Sequence, residues 1–199
     1  MKLYYSPGAC SLASHIVAEE LGLKLDYEKV DLKEHKTEHG ADYYAINPKG
    51  AVPAIALDEN RLLTENVAIL TYLGDQKPEA ELVPRPGSFD RTRLLEWLGF
   101  LSSEIHKAYA PLFHGSEEEK TKARQTLDKH FGYVDKKLTG RPFLNGESLS
   151  VADAYLFVML TWAGKTGVDL SKYRNLPTFR DRISKRPAVR RAMQMEELV

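Results

Sequence analysis

The chain has 199 residues, of which 43% are hydrophobic, 28% charged and 10% aromatic. This is the mixture of an ordinary globular protein, and it excludes a disordered, collagen-like or disulfide-rich chain. Lysine plus arginine and aspartate plus glutamate number 28 each, so the formal net charge is +0. Nothing in that balance calls for nucleic acid or an anionic membrane as a partner.

The first 75 residues alternate short strand-like and helix-like segments. Their pattern predicts strands at 2–6, 25–32, 52–57 and 61–64 and helices at 10–21, 37–44 and 65–74. Between the last two strands, Asp58-Glu59-Asn60 has the length of a three-residue hairpin loop. The order βαβαββα predicts a mixed sheet covered by helices, because long crossovers join parallel strands and hairpins join antiparallel ones.

A change of composition separates this half from the rest of the chain. Residues 78–88 contain three prolines and a glycine, which is typical of a linker. Beyond them, apolar residues recur at spacings of 4, 3 and 4, the period of an amphipathic helix. They are Leu94, Leu98, Leu101 and Ile105. We therefore expect an α/β domain over 1–77, a linker over 78–88 and an all-helical domain over 89–199.

Ser150 and Asp153 stand three residues apart, directly before the apolar run 154–163. In such a pattern the serine side chain accepts a hydrogen bond from an amide three residues on, and the aspartate reaches back to the serine amide. The cap contributes about 1 kcal/mol, so the pair indicates the start of a buried helix and not a catalytic dyad. The run is also far shorter than the ~20 residues needed to cross a bilayer.

Cys10 is the single cysteine and opens the first predicted helix. Unpaired amides and the helix dipole at such a position favour a thiolate, so we expect its pKa to lie below the free value of about 8.5. The simpler alternative is a small buried apolar residue. A lone thiol acts through a mixed disulfide or by hydrogen bonding to a small thiol. A free cysteine and the absence of an apolar leader favour a cytoplasmic location.

Two places in the first half are candidates for binding an extended ligand. Base rates favour a trans Val52–Pro53 bond, whereas a cis bond would turn the backbone of Val52 towards a peptide-like ligand. Glu65 and Asn66 stand at a strand-to-helix corner, where capping is the simplest explanation. The functional alternative is an anchor for an amino-acid group, in which helix amides bind the carboxylate and Glu65 binds the ammonium.

Histidines supply the remaining candidates. His106 follows the apolar stripe and shares a neighbouring helix face with Gly99 and Ser103, an arrangement that fits a helix–helix contact or a concave hydrogen-bonding strip. His35 and His39 stand four residues apart, but no glutamate follows the first and the pattern offers no third ligand. We therefore expect no metal site.

Five stretches of the chain form a specific combination through their order and spacing. They are KLYYSPGACSLASHIV, INPKGAVPAI, LTENVAIL, EWLGFLSSEIHKAYAPLF and LSVADAYLF. Together they resemble the bacterial glutathione S-transferases of the beta class over essentially the whole chain. The resemblance implies a thioredoxin-like N-terminal domain, a helical C-terminal domain and glutathione in the cleft between them. It also implies a cis bond before Pro53 and a homodimer, for which Phe89 and Trp97 are candidate contacts.

The resemblance further implies roles in glutathione binding. Cys10 matches the cysteine beside the glutathione sulfur, and Val52 matches the residue whose backbone pairs with the cysteinyl part. Glu65 and Asn66 match the corner that holds the γ-glutamyl group, although serine or glycine is more usual at the second position. The matching helical positions near the co-substrate, some of them reaching across the dimer, are Ser103, Glu104 and His106.

Two positions depart from the pattern of the family. His35 stands where a lysine that binds the glycine carboxylate is common, so the charge at this position depends on pH. Gly99 stands where an asparagine is common, so a side-chain contact is missing there.

The resemblance implies a detoxification enzyme that conjugates the glutathione thiolate to small hydrophobic electrophiles, with glutathione as co-substrate and no metal. Cys10 and His106 are the candidate catalytic residues, because hydrogen-bond donors stabilise a thiolate. One alternative is glutathione-dependent thiol–disulfide exchange or peroxide reduction through a Cys10 mixed disulfide. Another is a ligand-binding or scaffold protein without turnover. The candidates for the electrophile pocket are Tyr109, Phe113 and Trp162.

Overall fold

The computed structural model describes residues 1–58 and 60–199, which divide into two units. The first unit comprises Met1–Ala80 and Arg186–Val199, and the second comprises Glu81–Lys185. The division after residue 80 lies within the expected linker 78–88. The expected helical domain over 89–199 differs from the structure at its end, because the last residues of the chain belong to the first unit.

The helices and strands are as follows. The first unit contains β1 (Lys2–Tyr5), α1 (Ser11–Leu21), β2 (Asp26–Asp31), β3 (Lys36–Thr37), α2 (Tyr43–Ile46), β4 (Ala54–Asp58), β5 (Arg61–Thr64), α3 (Asn66–Asp75) and a 3₁₀ turn at Pro78–Ala80. The second contains α4 (Phe89–Phe100), a π-helical turn (Leu101–His106), α5 (Lys107–His114), α6 (Glu117–Lys137), α7 (Val151–Thr166) and α8 (Leu176–Ser184). The chain then returns to the first unit with α9 (Pro187–Met195).

Over the described residues, the first unit is built on a five-stranded sheet in the order β3-β2-β1-β4-β5. β1 runs parallel to β2 and antiparallel to β4, and β4 pairs with β5 as an antiparallel hairpin. Leu3 lies opposite Ile55 at the centre of the sheet, and both side chains are fully buried. The predicted thioredoxin-like mixed sheet is thereby confirmed, with β3 as an additional short strand.

The predicted helix over 37–44 is wrong. Thr37 instead pairs with Val30 as part of β3, and its hydroxyl accepts a hydrogen bond from the amide of Ala41 at 3.3 Å. Gly40 adopts φ +83°, a left-handed conformation that ends regular structure. A helix forms only afterwards, as α2, whose start is capped by Asp42.

The predicted hairpin between the last two strands is present. Asp58 ends β4 and pairs with Arg61, the first residue of β5. Asp58, which was expected in the loop, therefore belongs to β4, and the loop between the two strands is shorter than the expected three residues. Of the expected loop, Glu59 lies outside the described residues.

Ion pairs with α1 explain why the end of the chain belongs to the first unit. The guanidinium of Arg186 binds both carboxylate oxygens of Glu20, at 2.6 and 2.8 Å. Arg191 binds the carboxylate of Glu19 at 2.8 Å. These two arginines therefore hold α9 against α1. The sequence had instead predicted that α9 belongs to the helical domain.

The second unit is helical, and its predicted apolar stripe is confirmed. The stripe residues Leu94, Leu98, Leu101 and Ile105 are all fully buried. The backbone continues from α4 through the π-helical turn into α5 with helical dihedral angles at both junctions. Such turns insert an additional residue into a helix and so shift the faces on either side of it.

The predicted start of α7 is also confirmed. Ser150 and Asp153 form a capping box, in which the carboxylate accepts the amide of Ser150 at 2.8 Å. The other carboxylate oxygen accepts the amide of Leu144, also at 2.8 Å. Burial raises the pKa of Asp153 to about 6. Among the described residues, no helix is long and apolar enough to cross a membrane.

Candidate functional site

Cys10 lies at the amino end of α1, after a turn in which the amide of Ala9 donates to the carbonyl of Ser6 at 3.0 Å. Gly8 adopts φ +71° within this turn. The thiol of Cys10 donates to the carbonyl oxygen of Val52, with the sulfur and oxygen 3.2 Å apart. The turn, the helix start and the chain before β4 therefore meet at one sulfur atom.

The thiol pKa is opposite to the expectation from sequence. Burial raises the pKa of Cys10 to about 12, and the negative charge of Glu65 acts in the same direction. The amides of Cys10 and Ser11 at the helix start lower the pKa, but their effect is smaller than the loss of hydration. Cys10 is therefore a protonated hydrogen-bond donor at neutral pH, and the predicted low-pKa thiolate is corrected.

Val52 is fixed in place within the first unit by its side chain and by the backbone next to it. The Val52–Pro53 bond is cis, as the resemblance implied and against the base rate. Val52 packs in a buried cluster with Tyr4 and Tyr43, and the preceding carbonyl, of Ala51, accepts the Tyr43 hydroxyl at 2.9 Å. The backbone beside the Cys10 sulfur is thus fixed by packing and hydrogen bonds.

Glu65 occupies a strained corner between β5 and α3. Its φ is +73°, a conformation that costs a non-glycine residue about 1–3 kcal/mol and that clusters at ligand sites. Its exposed carboxylate lies 2.6 Å from the ammonium of Lys49, which also donates to the hydroxyl of Thr64 at 3.1 Å. Lys49 is not among the residues predicted from the sequence, although its position in the turn between Pro48 and Gly50 is a usable signal.

Asn66 faces into the unit. Its amide nitrogen donates to the carbonyl of Cys10 at 2.9 Å, and its amide oxygen accepts the hydroxyl of Ser14 at 3.1 Å. The Asn66 side chain therefore joins the start of α3 to the start of α1. This use of the side chain was not visible in the sequence.

His35 lies beside Gly50, and Gly50 is two residues before Val52 in the chain. His35 adopts φ +51°. Its ring packs at a tilt against that of Tyr44, with centroids 4.3 Å apart and Nε2 3.1 Å from the tyrosine hydroxyl. A Cβ on Gly50 would lie 3.2 Å from the His35 ring and 2.6 Å from that of Tyr44. Within residues 1–58 and 60–199, the buried Nδ1 of His35 has no hydrogen-bond partner.

In the second unit, His106 ends the π-helical turn. Its Nδ1 lies 2.6 Å from the hydroxyl of Tyr155 on α7, and its ring is 5.2 Å from that of Trp162. Burial lowers the pKa of His106, so the ring is neutral at pH 7. When the tyrosine hydroxyl donates to Nδ1, the proton of the neutral ring resides on Nε2.

A cavity of about 430 Å³ adjoins His106. Its lining includes Tyr109 and Phe113 on α5. Trp162 packs edge-on against both, with centroid distances of 5.2 and 5.9 Å. The structure thus brings together the three aromatic residues named as candidates for an apolar substrate.

The expected helix face of Gly99, Ser103 and His106 is not formed as predicted. Ser103 is exposed and donates to the carboxylate of Glu104 at 3.0 Å, whereas Ser102 lines the cavity with His106. The π-helical turn lies between these positions and changes their angular spacing. Glu104 in turn lies 3.7 Å from His130.

Two family models match the chain. The N-terminal domain of glutathione S-transferases matches residues 8–76, and the C-terminal domain matches residues 98–187. Among characterised sequences, glutathione S-transferase GstA of Escherichia coli O157:H7 is 42% identical over the full length of both chains. Glutathione S-transferase GST-4.5 of Xanthomonas campestris is 38% identical over the same extent.

Solved structures are similar over the whole chain as well. A ternary complex of BphK, a bacterial glutathione S-transferase, superimposes with a TM-score of 0.98 at 48% identity, and both chains are fully covered. A beta-class glutathione S-transferase from Sphingomonas chungbukensis gives 0.97 at 49%, and a sphingomonad enzyme complexed with glutathione gives 0.96 at 48%, each with full coverage of both chains. The chain therefore belongs to the glutathione S-transferase family, in its bacterial beta class.

Proposed function

We propose that the protein is a glutathione transferase that conjugates the sulfur of glutathione to small hydrophobic electrophiles. The observation that carries the proposal is the meeting of three elements at one place in the first unit. The Cys10 thiol contacts the Val52 carbonyl, and the side chain of Asn66, next to the strained Glu65, contacts the Cys10 carbonyl. Family membership supplies the co-substrate, because the related sphingomonad structure holds glutathione.

Glutathione offers an extended backbone, two carboxylates and one ammonium group. We assign its cysteinyl part to the backbone of Val52 and its ammonium to the exposed carboxylate of Glu65. Its γ-glutamyl carboxylate faces the amides at the start of α3, where helix geometry leaves donors unpaired. The ammonium of Lys49 adds positive charge at this corner, and we assign His35 to the glycine end.

The chemical step requires a sulfur anion on glutathione. Cys10, whose raised pKa keeps it protonated, stabilises that anion when its single S–H turns from the Val52 carbonyl to the glutathione sulfur, together with the amides at the start of α1. His106, the other candidate catalytic residue, carries an Nε2–H donor within the second unit, and Tyr155 holds its ring orientation. The glutathione sulfur then forms a bond to the electrophilic carbon, and the leaving group departs with the electron pair of the bond that joined it to that carbon. The proton of the glutathione thiol passes to solvent.

The second unit receives the electrophile in the cavity beside His106. Its aromatic walls suit planar apolar compounds, and such a pocket discriminates only weakly among them. Ser103 and Glu104 lie on the exposed face of the same π-helical turn, where we place them near the co-substrate as polar positioning residues.

Calorimetric titration with glutathione and turnover of a chloronitroaromatic compound test the proposal. We expect saturable binding and a thermal shift, because a ligand at 100 times its Kd stabilises by about 2.7 kcal/mol. Glu65→Gln removes the ammonium partner and weakens binding by about tenfold or more. Glu79→Gln, on the exposed 3₁₀ turn, is the matched control. The absence of heat and of a thermal shift with millimolar glutathione contradicts the proposal.

The second candidate function is thiol–disulfide exchange or peroxide reduction. It is favoured by the free and partly exposed thiol of Cys10. The Cys10 sulfur attacks the glutathione sulfur of a mixed disulfide between glutathione and a small thiol, and the small thiol leaves with the Cys10 proton. A second glutathione then attacks the Cys10–glutathione disulfide, which releases glutathione disulfide and regenerates the Cys10 thiol. Intact mass after treatment with oxidised glutathione and activity on a hydroxyethyl mixed disulfide distinguish it. An adduct that persists in Cys10→Ala removes Cys10 from this chemistry.

The third candidate is a scaffold without turnover. The full-length similarity of the chain to glutathione S-transferases disfavours it.

We also propose a cytoplasmic location, which cell fractionation tests. The lone free thiol supports it, because cytosolic proteins keep such groups reduced.

We further propose a homodimer that covers an aromatic groove of about 630 Å³ in the second unit. Phe89 is 71% exposed at the start of α4, and Trp97 and Phe100 pack beside Tyr133 on α6. A second copy supplies an apolar surface for these rings. Light scattering of the intact protein and of Phe89→Asp tests this, and an intact protein that is monomeric at micromolar concentration overturns it.

A further inference from the structure

The second unit contains another cavity, of about 390 Å³, between the chain that follows α6 and the start of α8. Its lining includes residues 140–142 together with Arg174, Thr178 and Arg182. The described lining residues of this cavity differ throughout from those of the cavity beside His106. Glutathione conjugation therefore gives this second cavity no role.

Three guanidinium groups face this cavity, those of Arg141, Arg174 and Arg182, and no aspartate or glutamate is among its described lining residues. In a chain with a formal net charge of +0, this is a local concentration of positive charge. Arginine donates in a planar fork that matches the oxygens of phosphate and carboxylate groups. The cavity thus has both the charge and the donors of an anion site.

These guanidinium groups remain available to a ligand. Arg182 donates through Nη1 to the carbonyl of Pro142 at 2.7 Å, which fixes its orientation and leaves other N–H groups free. In the part of the chain that the structure describes, the side chains of Arg141 and Arg174 form no hydrogen bond or ion pair. Both are exposed.

A carboxylate near the start of α8 does not neutralise the arginines by direct contact. Asp135 accepts the backbone amides of Asn175 and Leu176, at 2.7 and 2.9 Å. It also accepts the side-chain amide of Asn175. Asp135 therefore satisfies the helix start, and an anion in the cavity is held by arginine side chains and the hydroxyl of Thr178.

We propose that this cavity binds a phosphate group, either as inorganic phosphate or as the phosphoryl part of a larger ligand. A tetrahedral phosphate presents several oxygens in different directions, so it can accept from the three guanidinium groups at once, whereas a planar carboxylate has only two oxygens. The volume lies within the range of small-molecule sites, about 300–1,000 Å³, so an organic group attached to the phosphate also fits.

Titration calorimetry at constant ionic strength tests the proposal with inorganic phosphate and with glycerol 3-phosphate. Phosphatidylcholine vesicles with and without phosphatidic acid distinguish a lipid headgroup from a free phosphate. We expect the double variant R141Q/R174Q to bind at least about tenfold more weakly. R174K, which keeps the charge but loses the fork, is expected to lie in between.

Arg180→Gln is the matched control, because it removes an exposed arginine of α8 that does not line the cavity. We expect it to bind phosphate as the unchanged protein does, and we expect saturating glutathione to leave phosphate binding unaffected. Three results overturn the proposal: no heat with millimolar phosphate or glycerol 3-phosphate, equal losses in the control and the double variant, or displacement of phosphate by glutathione. Thermal unfolding of each variant verifies that it remains folded.

Discussion

Glu196 and His15 form a buried pair that connects the end of the chain to α1. The carboxylate Oε1 lies 3.0 Å from Nδ1 of His15, and both side chains are at most 1% exposed. The other carboxylate oxygen accepts the amide of Gly8 at 2.8 Å. A residue near the C-terminus thus holds the turn that precedes Cys10, which couples the tail of the protein to its candidate site.

Replacing Glu196 is therefore expected to affect both folding and binding. Glu196→Gln lowers the free energy of unfolding by about 1–3 kcal/mol, because it removes a buried charge-assisted hydrogen bond. It also weakens glutathione binding, because the turn at Gly8 loosens. Urea denaturation and calorimetry measure the two effects. The exposed neighbour Glu197→Gln is the control and is expected to change stability by less than about 0.5 kcal/mol.

The raised pKa of Cys10 predicts that its thiol reacts slowly with alkylating reagents when no ligand is bound. Because burial disfavours the thiolate, alkylation by iodoacetamide is expected to accelerate with pH without levelling off below about pH 10. The same pKa shift makes the stability of the fold depend on pH. Below the unfolded pKa of about 8.5 the neutral thiol does not oppose folding, and the free energy of unfolding falls as the pH rises from there towards 12. A plateau near pH 7 contradicts the assignment, and Cys10→Ser gives the background rate.

The capping box of α7 predicts a large loss of stability when Asp153 is removed. Asp153→Ala leaves the buried amides of Leu144 and Ser150 without their acceptor, and we expect about 2–4 kcal/mol of destabilisation. Asp90→Ala, in the exposed first turn of α4, is expected to cost less than about 1 kcal/mol. Similar losses in the two variants, measured by urea denaturation, contradict a special role for the box.

Gly99 predicts a stabilising substitution. It lies exposed at the end of α4, and a Cβ there meets no atom within 4 Å, so Gly99→Ala is expected to add about 0.5–1 kcal/mol. Gly115→Ala is the contrasting variant. Its Cβ would lie 2.7 Å from the backbone oxygen of Pro111, so we expect destabilisation of about 1–3 kcal/mol. Equal shifts in melting temperature in the two variants contradict this reading.

Local chemistry in the sequence predicted several features correctly. The spacing of Ser150 and Asp153 predicted a helix start, and the alternation of the first half predicted the strands around Leu3 and Ile55. Both patterns rest on groups a few residues apart, whose hydrogen bonds and burial depend little on distant parts of the chain. The segment 37–44 was mispredicted because Thr37 pairs with Val30 of the preceding strand, and this short pairing has no alternating pattern that marks it in the sequence.

The candidate site depended more on tertiary structure. The motifs identified Cys10, Val52 and Glu65 through resemblance, but not the inward orientation of Asn66, the pairing of His106 with Tyr155 or the contribution of Lys49. Each of these is a contact between segments that are distant in sequence. No spacing rule describes such contacts.

The sequence by itself determined the mixed βαβαββα first half, the helical second half and the family to which the chain is similar, because period, turn chemistry and motif order are properties of neighbouring residues. Only the tertiary structure decided the protonation of Cys10 and the place of the last residues against α1. Both follow from burial: the packing of Val52 and its neighbours dehydrates the thiol, and the buried carboxylate of Glu196 finds its partners in His15 and Gly8.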